Sequence, residues 1–170
     1  MPKGYAHVRR VHKILMLVLA LSLTWAVPMP AFGQVTPLPI GTDVDYQLGG
    51  AVDRPETVGI IARDRTEDPA AGRYNICYVN GYQTQPNEKR FWLRHHPGLL
   101  LKKNDKPVVD ENWGEFLLDI RTPEKRRQLA AIVGGWIAGC ADDGFQAVEL
   151  DNLDSFSRSH RLIARADAAD

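Results

Sequence analysis

The chain has 170 residues, 44% hydrophobic and 25% charged, with 21 basic and 21 acidic side chains. That is enough for one domain with its own core. Lys3, Arg9, Arg10 and Lys13 precede Gln34 with no acid among them, so the remainder carries 17 bases against 21 acids, a net of −4, which excludes the basic footprint of a nucleic-acid or anionic-membrane binder.

The basic N-terminus leads into the apolar run Ile14–Leu21, then Pro28, Pro30 and the small-x-small triplet Ala31-Phe32-Gly33. This pattern predicts a secretory signal peptide over residues 1–33, cleaved before Gln34, and a secreted protein. The run is shorter than the roughly 20 residues of a spanning helix, so a cleaved signal is favoured over a membrane anchor. Cys77 and Cys140 are the two cysteines. In an oxidising compartment they form one disulfide or remain as two buried thiols; the spacing decides neither, and no zinc pattern is present.

A Pro-rich leader over residues 34–42 precedes the domain, which is placed at 43–170. Three short runs follow, Asp43–Leu48, Val58–Asp64 and Tyr74–Asn80. Each starts apolar and finishes polar, as parallel strands do when they display function at their C-terminal ends. The connections between them are shorter than the dozen or so residues of an ordinary parallel crossover, so either the crossovers are tight or the runs pair differently. Asn87 is the expected N-cap of a helix through Phe91-Trp92-Leu93, and Asn104-Asp105 is the expected turn of a hairpin.

The strongest local signal is a helix from Pro123 to about Asp142. Thr122 is its N-cap, Pro123 its first residue, and Gly144 closes it. Leu129, Ile132, Val133, Trp136, Ile137 and Cys140 make one apolar face. Gly134, Gly135 and Gly139 each weaken an isolated helix by up to about 1 kcal/mol against Ala, which predicts close packing on a neighbouring element. A strand over Gln146–Leu150 then opens into the acid-rich segment Glu149-Leu150-Asp151-Asn152-Leu153-Asp154. The Ala-rich stretch from Ile163 to Asp170 reads as the start of another helix.

Several stretches in order carry a family resemblance: Asp45-Tyr46-Gln47-Leu48-Gly49-Gly50, Tyr74–Gly81 with Gln83-Thr84-Gln85-Pro86, and Gly144-Phe145 through Glu149–Ser155. Together they resemble the secreted endo-α-1,4-polygalactosaminidase family of glycoside hydrolases, over roughly residues 43–165. The resemblance implies a TIM-type (β/α) barrel that cleaves galactosamine-containing polysaccharide. It also implies a catalytic Asp at the end of strand four, matched by Asp151, and a partner Glu later in the chain. A TIM barrel takes about 250 residues, whereas removal of the signal leaves 137. The expectation is therefore an α/β chain truncated to about the first half of the barrel, without the second carboxylate. Alternatives are a carbohydrate-binding protein that does not cleave and an inactive remnant.

Glycoside hydrolysis uses two carboxyl groups flanking the scissile bond, one of them held protonated. Glu149 and Asp151 are i and i+2 on a strand and point to one face. Asp151 is the expected acid or nucleophile, and Glu149 tunes it from one layer deeper or is structural. Asn152 and Asp154 are placed on sugar hydroxyls, or Asp154 caps the next turn. Asp45 and Gln47, Arg63 and Asp64, and Tyr78 and Asn80 end strands one to three. In a parallel sheet they are expected at the same rim as substrate-binding residues. The acid segment lacks EF-hand spacing, so no metal is expected, nor any cofactor. The expected partner is the polysaccharide, with no nucleic acid, no membrane after signal cleavage, and self-association through open barrel edges.

Overall fold

The computed structural model describes residues 35–169; the signal-peptide expectation lies outside them. Strands β1 (Asp43–Gln47), β2 (Val58–Asp64) and β3 (Tyr74–Asn80) are followed by helix α1 (Lys89–His95). Two small antiparallel ribbons come next, β4 (Lys102–Lys103) with β5 (Lys106–Pro107), and β6 (Val109–Asp110) with β7 (Glu115–Phe116). Helix α2 (Pro123–Asp142) and strand β8 (Ala147–Asp151) complete the regular elements.

The main sheet is wholly parallel, in the order β1-β2-β3-β8. Its register stacks the inward side chains in layers. Tyr46, Ala62, Ile76 and Ala147 form one row, Asp64, Tyr78 and Glu149 the next, and Asn80 and Asp151 the uppermost. The Tyr46 hydroxyl on β1 donates to Glu149 Oε2 on β8 at 2.5 Å. These are the two outer strands; in a flat sheet they stand about 14 Å apart, three spacings of about 4.8 Å, with side chains roughly perpendicular. Their contact requires the sheet to curl, as the wall of a TIM-type barrel does. The fold is α/β, and the barrel is not closed by the described residues.

The short crossovers are real, and both lack a helix. A crossover helix is needed where a sheet face is apolar. Here the outward side chains Gln47, Arg63 and Asn75 are polar and bond the connecting loops themselves. Gln47 bridges the backbone of Val52, Arg63 donates to Asp68 O at 2.7 Å, and Asn75 pairs with both backbone groups of Ala70. Among the described residues, α2 packs against β3 and β8. There Cys77, Val79, Val133, Cys140 and Phe145 make a small core, and Cys77 and Cys140 are joined by a disulfide. A larger core centred on Trp92, Leu101, Leu117 and Leu118 underlies the excursion between β3 and α2.

Helix α2 follows its cap chemistry. Thr122 Oγ1 accepts from Lys125 N at 3.3 Å, Pro123 opens the helix, and Gly144 lies beyond its end at φ +94°. Its glycines correct the packing expectation: a Cβ at Gly134, Gly135 or Gly139 would meet nothing within 4 Å. Asn87 is not a helix cap. Pro86–Glu88 forms a 3₁₀ turn, and α1 starts after Glu88. The Glu88 carboxylate turns back to accept from Gln85 N and Trp92 Nε1 and pairs with Arg65 at 2.6 Å, which fixes the corner there. The Asn104-Asp105 turn is formed with both residues at positive φ, 51° and 60°, the backbone of a tight hairpin turn. In place of a terminal helix, Arg165–Ala168 makes a single 3₁₀ turn. Beside β8, Val148, Leu150 and Leu153 are exposed. No helix among the described residues is long and apolar enough to cross a membrane.

Candidate active site

The carboxyl ends of β2, β3 and β8 and the β6–β7 ribbon meet around one cleft. One lobe, of about 470 Å³, is bounded by Asp64, Tyr78, Gln85, Trp113 and Glu115 among others. The adjoining lobe, of about 430 Å³, is bounded by Asp110, Asp151, Asn152, Asp154 and Arg158, again with Tyr78, Trp113 and Glu115. With Leu48, these last three residues line both lobes.

Asp151 ends β8. Its Oδ2 accepts from the Tyr78 hydroxyl at 2.7 Å and its Oδ1 from the Asn152 backbone N at 2.7 Å. Asn152 reaches this position at φ +60°, a left-handed conformation that Asn tolerates better than most residues. Its side chain is held on several sides. Nδ2 donates to Asn80 Oδ1 at 3.1 Å, while Oδ1 accepts from Gln83 Nε2 at 2.7 Å and Arg158 Nη2 at 3.0 Å. Asn80 Nδ2 in turn donates to Glu115 Oε2 at 3.1 Å. A continuous set of hydrogen bonds thus runs from Glu115 through Asn80 and Asn152 to Asp151. Gly81 permits this closeness, since a Cβ there would lie 2.8 Å from the Leu153 side chain and 3.0 Å from Asp151 O.

The other inward carboxylates are occupied. Asp64 accepts from Thr66 N and Oγ1 and, at 2.6 Å, from Gln85 Nε2. Glu149 lies one layer below Asp151 and takes the Tyr46 hydroxyl. That bond is the largest influence holding the Tyr46 phenol up to about 12. Asp110 is buried and paired with Arg158 Nε at 2.8 Å. Asp154 does not cap the turn that follows it; it pairs with Arg158 at 2.8 Å. Glu115 differs from these. Burial is the main influence on its carboxyl and pushes it up to about 7; the Asn80 bond opposes this, and the carboxylates of Asp110, Asp151 and Glu88 reinforce it. Among the described residues no group of three or more His, Cys, Asp or Glu is placed to hold a metal ion.

Of the residues expected at the rim, Asp64, Tyr78, Asn80, Glu149, Asp151, Asn152 and Asp154 are brought to the cleft or its floor. Asp45, Gln47 and Arg63 are not. The register pairs Gln47 with Arg63, Arg63 with Cys77 and Cys77 with Val148, the row that faces α2 and solvent. There Asp45 binds Arg54 at 2.6 Å and Gln47 at 2.9 Å, and Arg63 binds Gln47 at 2.9 Å. The physical reason is strand parity: alternate residues face opposite sides, and on β1 the inward residue is Tyr46. Tyr46, Asp110, Trp113, Glu115 and Arg158 were not singled out from the sequence. Tyr46 was within reach by parity from the Tyr74–Asn80 run. Trp113 and Glu115 sit in an excursion with no periodic pattern to point to them.

The profile of glycoside-hydrolase family GH114 matches residues 29–170. The crystal structure of Aspergillus fumigatus Ega3 in complex with galactosamine superposes with a TM-score of 0.52 at 22% identity, over 76% of this chain and 51% of that one. The glycoside hydrolase domain of PelA from Pseudomonas aeruginosa gives a TM-score of 0.47 at 17% identity, over 77% and 50% of the two chains. The chain thus spans about half the length of these solved relatives. No curated protein matches it.

Proposed function

The chain belongs to glycoside-hydrolase family GH114, and from that premise we propose a secreted hydrolase acting on α-1,4 bonds of galactosamine-containing polysaccharide. Asp151 is one carboxylate of its two-carboxylate mechanism. The observation that carries this reading is the setting of Asp151, at the C-terminal end of a barrel-type strand, with both oxygens fixed by Tyr78 and Asn152. Barrel enzymes do their chemistry at that end. The cleft supports the substrate class: its lining includes Asp64, Glu67, Asp110, Glu115, Asp151 and Asp154, against Arg158. A de-N-acetylated hexosamine is a cation, and an acidic cleft concentrates cations. Secretion is supported by the basic-then-apolar N-terminus and by the Cys77–Cys140 disulfide, which suits an oxidising compartment.

In this reading the second carboxylate is not among the described residues, and the 170-residue protein alone binds the polymer without cleaving it. The test incubates the purified protein with partially de-N-acetylated galactosaminogalactan and follows both binding and new reducing ends. Binding without release is expected. Release that disappears in Asp151→Asn would place both catalytic groups within the chain, and absence of binding would remove the assignment.

A second reading, a carbohydrate-binding protein that does not cleave, is favoured by the engagement of Glu149 with Tyr46, which ties up the carboxylate nearest Asp151 on its own strand. Sequencing the DNA after codon 170 separates the two. A continuing frame with further strand–helix units and a strand-end Glu supports the hydrolase. The proposal also includes self-association at the β8 edge, where Val148, Leu150 and Leu153 are exposed and unpaired strands invite pairing. Light scattering on the eluting protein would report a mass above the monomer.

A further inference from the structure

The main sheet covers about half a circle. Tyr46 on β1 and Glu149 on β8 point inward and meet, so the bore that the sheet curls around is just wide enough for side chains to fill. That is the bore of a parallel barrel of eight strands. The described residues supply four strands, in the order β1-β2-β3-β8, and therefore about half of such a wall. Both ends of the wall are open strand edges: among the described residues β1 pairs only with β2, and β8 only with β3. The described residues beyond β8 do not pair with it. They pack on the larger core through Ile163, and the Tyr82 hydroxyl donates to Ala168 O at 3.3 Å.

The gap leaves apolar side chains in water. Val44 and Tyr46 share the face of β1 that lines the bore, yet each is 55% exposed. Val148 and Leu150 are exposed on the outer face of β8. An occupant of the gap must be four parallel strands wide and curl to the same radius. It must also offer a partner edge to β8 and another to β1. A second copy of the chain meets all of these conditions. A two-fold axis along the bore keeps every strand parallel and joins each β8 to the other copy's β1. Two identical junctions close the ring, so no edge is left for further addition.

We propose that the chain forms a closed two-fold dimer, in which β8 of each copy pairs in parallel with β1 of the other to complete an eight-stranded barrel. The inference deepens the self-association proposed above and rests on that reading for the open β8 edge, but not on the substrate. The register of the junction follows from the barrel. Its strands shift by about 8 residues over the full ring, hence by about 4 over each identical half. One row of paired residues runs from Tyr46 through Ala62 and Ile76 to Ala147. About 4 residues from Ala147 lie Asp151 in one direction and Asp143 in the other, and only Asp151 is on β8. Asp151 therefore pairs with the second copy's Tyr46, Leu150 with its Asp45 and Glu149 with its Val44. The pairing covers Val44 and Tyr46 from water.

Sedimentation equilibrium of the full chain, without sugar, should give twice the chain mass and no larger species. Two variants, each with one added cysteine, then test the junction. Leu150→Cys and Asp45→Cys place their thiols side by side on its outer face, and circular dichroism checks that both fold. After the two are mixed and allowed to exchange, a short bismaleimide should link them into a covalent dimer. Neither variant should link to itself, because equivalent positions lie on opposite sides of the ring. A monomer, a mass that keeps growing past the dimer, or a mixture that does not link would each overturn the proposal. So would Leu150→Cys linking to itself, which would mean that β8 pairs with β8. Failure of the hydrolase reading looks different: closed dimers that do not bind the polymer.

Discussion

The Tyr78 hydroxyl donates to Asp151 Oδ2 at 2.7 Å across two layers of the sheet, because Tyr78 pairs in register with Glu149 and reaches up to the residue above. Burial, then this bond, raises the Tyr78 phenol far above its ordinary value, so the phenol remains a donor at every working pH. Tyr78→Phe should therefore lower stability by about 1.5–3 kcal/mol, the scale of a hydrogen bond to a charged group. In an Asp151→Asn background the loss should shrink. A double-mutant cycle by urea unfolding measures the difference, and additive losses would mean that the bond contributes nothing.

Glu115 gives stability a pH slope. Its carboxyl is raised to about 7 in the folded chain from an ordinary value of 4.5. The folded state thus binds the proton more tightly, and this stabilisation is complete below about pH 4.5 and lost as pH rises through about 7. Glu115→Gln should remove that slope between about pH 5 and 7.5, read from urea midpoints in a pH series. An unchanged slope would assign it to another group.

Asp119 acts in the opposite sense. Burial pushes its carboxyl up, but the bonds from Arg121 and Lys125 outweigh burial and hold it at about 2, below the ordinary 3.8. Its contribution, about 2 kcal/mol, is present above roughly pH 4 and is lost as pH falls through about 2. Asp119→Asn should make acid unfolding less steep in this window, as followed by circular dichroism.

Strand parity separates structure from binding on β1 and β2. Arg63→Met should destabilise the fold by about 1–3 kcal/mol through the bonds lost at Gln47 and Asp68, with polymer affinity unchanged. Tyr46→Phe frees Glu149 in the cleft floor and should alter affinity with a smaller effect on stability. Titration and melting of both variants check the contrast. A reversed pattern would mean that Arg63 faces the cleft.

The Cys77–Cys140 bond spans 63 residues of sequence. A loop of that length restricts the unfolded chain by about 4 kcal/mol in the chain-entropy account. Reduction, or replacement of both cysteines by Ser, should lower stability by up to that amount, measured by denaturant unfolding with and without reductant.

Helix α2 was legible almost residue by residue because its ends are written in local chemistry, Thr122-Pro123 at the start and Gly144 past the close. The three leading strands were legible from their apolar-to-polar gradient, and Asp151 and Tyr78 came with them. The faces of Asp45, Gln47 and Arg63 were not legible, for a physical reason. Polarity at a strand end does not single out the cleft, because the outer face of these strands also ends in polar residues, Gln47 and Arg63, that bond the connecting loops. The glycines of α2 were misread similarly, since low helix propensity does not reveal whether the space beside a helix is filled. Trp113 and Glu115 depend on how an irregular excursion folds back over the sheet. That is decided by contacts distant in sequence, such as Asn80 with Glu115, 35 positions apart.

The segment between the two cysteines includes α1, both ribbons and most of α2, and the Asn104-Asp105 turn is the kind of exposed tip that proteases cut first. A single cut there would leave β1–β3 on one piece and Glu115, α2 and β8 on the other, still tethered through sulfur. A nicked molecule would run as one band on a non-reducing gel and as two after reduction. The pieces that carry Tyr78 and Asp151 would then travel together through proteolysis that parts the backbone between them.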